Sequence, residues 1–161
     1  VAAQAVDMIV RRLGRRPRRA KTDRTPLGGV STGNFAAFVR GLQAVHRHIE
    51  GEVVANLARN YGRAAEDVIA AANGDHALLT RLSPALPDCG AEAVYAIRRE
   101  MALTLEDVVF RRTGIGTLGD PGAETISRIA AIMAAELRWS AEETARQTEA
   151  VAAHFQWGKA A

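Results

Sequence analysis

YAIRREMALTLEDVVFRRT, residues 95–113, carries two helical periods back to back. Val94, Ile97 and Met101 recur at helical spacing, and Leu105, Val108 and Val109 continue the apolar stripe. Thr104 followed by Asp107 has the form of a capping box, which restarts the helix at Leu105. Asp107 and Arg111 form an i,i+4 pair in the favourable order. The arginine pairs Arg98–Arg99 and Arg111–Arg112 come with Glu100, Glu106 and Asp107. The stretch predicts two charged amphipathic helices. The arginines are either a docking surface, toward another domain or a second copy of the chain, or partners of those acids.

Outward from this stretch the pattern stays helical. Residues 2–13 place Ala5, Met8, Ile9 and Leu13 on one face, with Gly14 as the stop. Asn34 caps a helix over 35–45. Further helices are expected over 49–61, closed by Gly62, and over 64–73, closed by Asn73-Gly74. Residues 75–80 add a turn of helix. The segment 82–90 contains Pro84 and Pro87 and reads as a loop. Asp120 and Pro121 open a helix reaching 137, and Ser140-Ala141-Glu142-Glu143 is a second capping box for a final helix to 155. Trp139 is expected where two helices meet, and Trp157 on a frayed tail. No alternating strand pattern exceeds a few residues. The expected fold is all-α, an irregular bundle of six to seven helices with a basic N-terminal arm.

Composition agrees. The 161 residues suffice for one domain with a real core. Aromatic residues are 5% of the chain, so Ala, Leu, Ile and Val must do most of the packing. Cys89 is the single cysteine, which excludes an internal disulfide and a thiolate metal set and fits a reducing compartment. No apolar run is long enough for a membrane-spanning helix. Val1 is not a natural start, so the chain is expected to be a piece of something longer.

The basic character is local. Residues 11–24 hold eight Arg and Lys against the single acid Asp23, whereas residues 25–161 hold 13 basic and 16 acidic residues. Arg15, Arg16, Arg18, Arg19 and Lys21 are the candidate anion contacts, either as a solvated linker facing acids of a neighbouring domain or against anionic lipid headgroups. The arm has no interleaved aromatics, which disfavours single-stranded nucleic acid.

Candidate chemistry is sparse. Gly114-Ile115-Gly116-Thr117-Leu118-Gly119 spells GxGxxG, but a dinucleotide site needs a strand before it and a helix N-terminus directly after. Here a capped helix precedes it and Pro121 comes only after the motif has ended, so an inter-helix loop is expected. His46 and His48 cannot share a helix face, and His76 and His154 stand alone, which fits no metal-ligand spacing. Ser31, Ser83, Ser127 and Ser140 lack the G-x-S-x-G elbow of a serine nucleophile. Cys89 has no activating partner in sequence and reads as a quiet loop cysteine. No catalytic, cofactor-binding or metal-binding residue is assigned.

The wording of residues 95–113 resembles the C-terminal domain of FAD-dependent (aerobic-type) glycerol-3-phosphate dehydrogenases, where a tyrosine–aliphatic–arginine start leads through an acid, "TLED" and "RRT" in this order. Thr25-Pro26-Leu27-Gly28-Gly29 resembles the start of that domain, with a glycine where the family often has a second proline. Ala58-Arg59-Asn60-Tyr61-Gly62 resembles its "RYG" helix end, and residues 129–139 its penultimate helix. The resemblance implies that residues 1–24 are the last helix of a preceding FAD domain plus a basic linker, and that 25–161 are the helical C-terminal domain. It further implies a parent enzyme that oxidises sn-glycerol 3-phosphate to dihydroxyacetone phosphate, passing electrons through FAD to a quinone. The fragment itself would be structural, hold no cofactor and be inactive alone. Its implied partner is the N-terminal FAD-binding domain, and the implied location is cytoplasmic, peripheral at the inner face of the cell membrane. Two rivals follow from the residues alone: an independent helical interaction module whose basic arm binds nucleic acid or an anionic membrane surface, and a bundle that senses a small molecule.

Overall fold

The computed structural model describes residues 2–25 and 33–156. Pro26-Leu27-Gly28-Gly29 and Trp157 lie outside the described residues, so the expectations placed on them have no structural counterpart here. Seven α-helices account for most of the described chain. They are α1 (Ala2–Arg12), α2 (Phe35–Val45), α3 (Gly51–Tyr61), α4 (Ala65–Ala71), α5 (Gly90–Glu100), α6 (Ala123–Leu137) and α7 (Ala141–Gln156). Two 3-10 turns, Gly62–Ala64 and His76–Leu79, flank α4. The all-α expectation holds, with one small addition.

That addition occupies the segment read as a loop. β1 (Arg81–Ser83) and β2 (Leu86–Cys89) form an antiparallel hairpin, with Arg81 opposite Cys89 and Ser83 opposite Leu86 across a bulge. Strands this short give no alternation to detect, and Pro84 and Pro87 argue against pairing in sequence. The three-dimensional context supplies the missing stabilisation. Leu82, Ser83, Asp88 and Cys89 are buried, and the Arg128 guanidinium of α6 donates to the carbonyls of Arg81 (3.0 Å) and Leu82 (2.9 Å).

The helices build two adjoining cores with α5 between them. Leu42 from α2, Val53, Val54 and Leu57 from α3 and Val68 from α4 pack one side, together with Cys89 and Ala91. Leu105, Val108, Val109, Ile126, Ile129, Met133 and Val151 pack the other, with Ala93 and Ala96. Alanines on both faces of α5 let two layers approach one helix, so a small-residue composition becomes close packing rather than a poor core. At the start of α5 the fit is tight: a Cβ on Gly90 would meet Ile132 Cδ1 at 2.9 Å and Leu78 Cδ2 at 3.0 Å, so both methyls would have to shift. Trp139, just past α6, packs at the edge of the second core beside α7, as expected of a residue where two helices meet.

Most helix ends follow the sequence. The Asn34 side chain accepts from Ala37 N, Gly62 and Asn73 take positive φ where α3 and α4 stop, and Ser140 Oγ accepts from Glu143 N at 3.1 Å. Asp120 is the exception. Its carboxylate accepts from Gly122 N (2.9 Å) in a local turn, and Gly122 at φ +87° separates that turn from α6, which starts at Ala123.

The 95–113 stretch keeps its two helical segments but not one continuous stripe. α5 ends at Met101, which adopts φ +59° and is 80% exposed. Met101 therefore does not join Val94 and Ile97, and Ala102 takes the buried place, its N–H bonding to Ala96 O at 3.0 Å. The Thr104–Asp107 box is present: Asp107 Oδ2 accepts from Leu103 N and Thr104 N, each at 3.0 Å, and Asp107 N donates to Thr104 Oγ1. Beyond the box, Asp107–Arg112 is a π-helix. Its wider turn ends where Val108 O accepts both Thr113 N (3.0 Å) and Thr113 Oγ1 (2.7 Å).

The wide turn also explains Gly116. The following loop folds back, with Gly116 N on Val109 O at 3.0 Å. A Cβ there would sit 2.6 Å from Phe110 Cδ1 and 2.8 Å from Val109 Cγ1. Gly116→Ala is expected to cost about 1–3 kcal/mol as an overpacked site. A lowered urea midpoint with unchanged slope checks this, and a wild-type midpoint would show that the ring yields freely.

Candidate functional site

The four helical arginines do not form one cluster. Arg98 is held bidentately by Glu136 of α6 (Nε–Oε2 2.8 Å, Nη2–Oε1 2.6 Å) and also reaches Ala71 O. Arg99 is exposed and has no ion pair among the described residues. Arg111 pairs with Asp107 at 2.6 Å and lies 4.0 Å from Glu106. Arg112 donates to Glu100 O at 2.9 Å. Internal pairing therefore occupies part of three guanidinium groups, each of which retains further N–H donors. Arg98 and Arg99 line a groove with Asp67 and Tyr95, and Arg111 and Arg112 line a different cleft.

That second cleft is about 410 Å³ in volume, and a neighbouring concavity of about 490 Å³ shares Asn60 with it and is lined also by Tyr61, Tyr95 and Glu100. α3 contributes Asn56 and Asn60, one turn apart and so on one face. The hairpin contributes Asp88, and the loop after the π-helix contributes Gly114, Thr117 and Leu118. Asp88 is buried and accepts from Gly114 N at 3.3 Å, and burial raises its pKa. Asn56 Nδ2 is buried without a hydrogen-bond partner. Neither Asn56 nor Asp88 was legible as a site residue, since each stands in an ordinary helical or loop context.

Two of the cleft's lining residues, Asp88 and Asn60, act on Glu92, in the first turn of α5 and fully buried. Its Oε2 accepts from Cys89 N at 2.8 Å. Its Oε1 and the neighbouring Tyr61 hydroxyl are buried, and neither has a well-aligned partner. Desolvation, reinforced by Asp88, pushes the Glu92 carboxyl up to about 8, against weaker opposing contacts from Cys89 N, Tyr61 and Asn60. Loss of water raises Tyr61 as well, and Glu92 adds to that rise. Cys89, at the hairpin–helix junction, has its thiol pushed up to about 12, mainly by burial. A buried thiol held protonated is chemically quiet.

The histidines are less isolated than their spacing implies. His76 does not stand alone: its ring lies edge-on to His48, 5.3 Å between centroids, and His48 meets His46 at 5.9 Å. His46 Nε2 is 2.7 Å from Glu66 Oε2. His154 also has partners, Glu106 at 2.8 Å and the Phe110 ring. The short connections around α4 bring residues distant in sequence together, which spacing alone cannot show. Among the described residues no group of three or more His, Cys, Asp and Glu is arranged to hold a metal.

The GxGxxG sequence does not fit a dinucleotide. A π-helix precedes it, and the space left by the missing Cβ of Gly116 is filled by the chain's own Phe110 and Val109 rather than left open to a pyrophosphate. In the N-terminal arm, Arg15, Arg16, Arg18, Arg19 and Lys21 are all exposed, with no ion pair among the described residues. α1 buries none of its residues: Val6, Met8 and Ile9, and Leu13 just after it, lie open.

Comparison with known proteins places this architecture. The family model described as the C-terminal domain of alpha-glycerophosphate oxidase matches residues 20–144. A glycerol-3-phosphate dehydrogenase of Synechocystis sp. is 29% identical over 150 residues, covering 92% of this chain and 27% of that protein. Glycerol-3-phosphate dehydrogenase 2 of Mycobacterium tuberculosis is 31% identical over 152 residues, covering 91% of this chain and 25% of its own length. The glycerol-3-phosphate dehydrogenase of Mycobacterium leprae gives 31% over 153 residues with the same coverage, 91% and 25%. No solved structure matches. The chain thus spans about a quarter of the curated relatives it matches. With the family pattern running through the hairpin, the two cores and the 95–113 segment alike, the chain belongs to the family of the alpha-glycerophosphate oxidase C-terminal domain.

Proposed function

We propose that this chain is the accessory C-terminal domain of a larger FAD-dependent glycerol-3-phosphate dehydrogenase and is not catalytic by itself. The observation that carries the reading is the coverage: nine tenths of this chain matches only a quarter of each dehydrogenase. The parent reaction is oxidation of sn-glycerol 3-phosphate to dihydroxyacetone phosphate, with the hydride accepted by FAD and the electrons passed on to a quinone. The flavin supplies that redox chemistry when bound. The one glycine motif here is packed against its own side chains, so the reading assigns flavin and substrate phosphate to the rest of the polypeptide.

In this proposal residues 1–24 are the last helix of the preceding FAD domain and a basic linker, and 25–161 are the C-terminal domain. The open apolar face of α1 supports that division, because a helix with such a face is stable only when another element covers it. The unpaired cations of the arm favour a peripheral position at the inner face of the cell membrane, where anionic headgroups attract them.

Full-length polypeptide and the 161-residue chain are to be compared side by side for flavin absorbance and glycerol 3-phosphate-dependent quinone reduction. The full-length protein should show both and the chain neither. Turnover or retained flavin in the isolated chain would overturn the proposal.

A further inference from the structure

Leu118 (83%) and Met101 (80%) are the most exposed large apolar side chains among the described residues, ahead of Val45 and Leu13 (69% each), and Leu103 is 59% exposed. Leu118, Met101 and Leu103 lie around one pair of arginines. Asp107 takes Leu103 N on one carboxylate oxygen and Arg111 on the other. Arg112 bonds the carbonyl of Glu100, the residue before Met101. Arg111, Arg112 and Leu118 line the same cleft, at whose floor Asn56 Nδ2 is a buried donor without a partner. Met101 holds a left-handed conformation that a side chain of this size rarely adopts, and that conformation presents it to the outside. Methionine, leucine and arginine exposed around a donor-rich cleft is the composition of an interface core rather than of a solvated surface.

We propose that this face is where the domain docks, and that its occupant is the remaining part of the same polypeptide, through a surface offering apolar side chains and neutral hydrogen-bond acceptors. The inference rests on the accessory-domain reading above. Three quarters of each relative lies outside the matched segment, so a large neighbouring surface is available in the same molecule. The acceptors follow from what is left over. Arg111 pairs with Asp107 and lies 4.0 Å from Glu106, and Arg112 bonds Glu100 O and lies 3.9 Å from the Glu100 carboxylate, so the charge is already balanced and the remaining exposed N–H groups match neutral acceptors.

Methionine oxidation in the full-length protein tests this. Met101 is exposed in the domain and Met133 is fully buried, so Met133 is an internal standard. Peroxide treatment followed by mass spectrometry should convert Met101 roughly tenfold or more slowly than in the urea-unfolded protein, because the thioether is covered. Dilution through the monomer range should leave that protection unchanged. The double substitution Met101→Asp with Leu118→Asp, which touches no buried side chain, should split one melting transition into two. Oxidation of Met101 at the unfolded rate would overturn the proposal. So would protection that disappears on dilution, which would identify a second copy, or protection that appears only with added anionic vesicles. Quinone reduction is read separately. Turnover with an unprotected Met101 removes the docking face alone, whereas a protected Met101 without turnover removes the dehydrogenase reading and leaves the face.

Discussion

Glu92→Gln is expected to make the chain several kcal/mol more stable than wild type at pH 9 while leaving it nearly unchanged at pH 5. The carboxyl is completely buried and its pKa stands at about 8, against 4.5 for a free glutamate. Between those values the native state holds a proton that the unfolded state has released. The unfolded state therefore binds fewer protons, and stability falls as pH rises. The contribution is complete below about pH 4.5 and is lost by about pH 8, on the order of 5 kcal/mol across the window. Asp88, raised by burial, acts in the same direction. The lowered carboxyls Glu50, Asp107 and Glu143 act oppositely, toward the acid end. Glutamine keeps an oxygen to accept from Cys89 N and offers N–H donors to the Tyr61 side, with no charge to form. Urea midpoints from pH 5 to 9 should decline for wild type and stay nearly level for the variant. Parallel curves would mean that Glu92 does not carry the buried proton.

The second large effect is expected from Val108→Asp. Val108 is fully buried within the core shared by α5, the π-helix, α6 and α7. An aspartate there would be an uncompensated buried charge or would take up a proton, at a cost of about 3–5 kcal/mol. For a chain of this size that lowers the melting temperature by roughly 10 °C or more. Ile97→Asp should cost less, since Ile97 is only half-buried and its replacement can turn toward water. Thermal melts followed by circular dichroism would check both the drop and its order. An unchanged melt for Val108→Asp would mean that the assigned helix face is wrong.

How much of this was legible from sequence differs from element to element. The Thr104–Asp107 box and the Asp107–Arg111 pair are legible because their partners lie within one turn, where spacing fixes geometry. The π-helix that follows is not: Leu105 N, just before it, donates to Gln147 Oε1 (3.0 Å), a contact spanning 42 residues that spacing cannot show. The hairpin escaped for the same reason, because Arg128 and the two cores stabilise strands too short to announce themselves. The candidate site was the least legible part. Glu92 stands in an alanine-rich first turn, where a glutamate ordinarily favours the helix dipole from the surface. Nothing local says that α3 will close over it.

Periodicity, caps and the family-like wording of residues 95–113 determined that this protein is a helical domain and which family it joins, because those signals are set by neighbours along the chain. The tertiary structure alone decided which polar groups were taken out of water. The packing of α3 and the hairpin against α5 buried Glu92 and Asp88 and left Met101 and Leu118 outside, since burial is a property of how elements pack in space and not of the residues themselves.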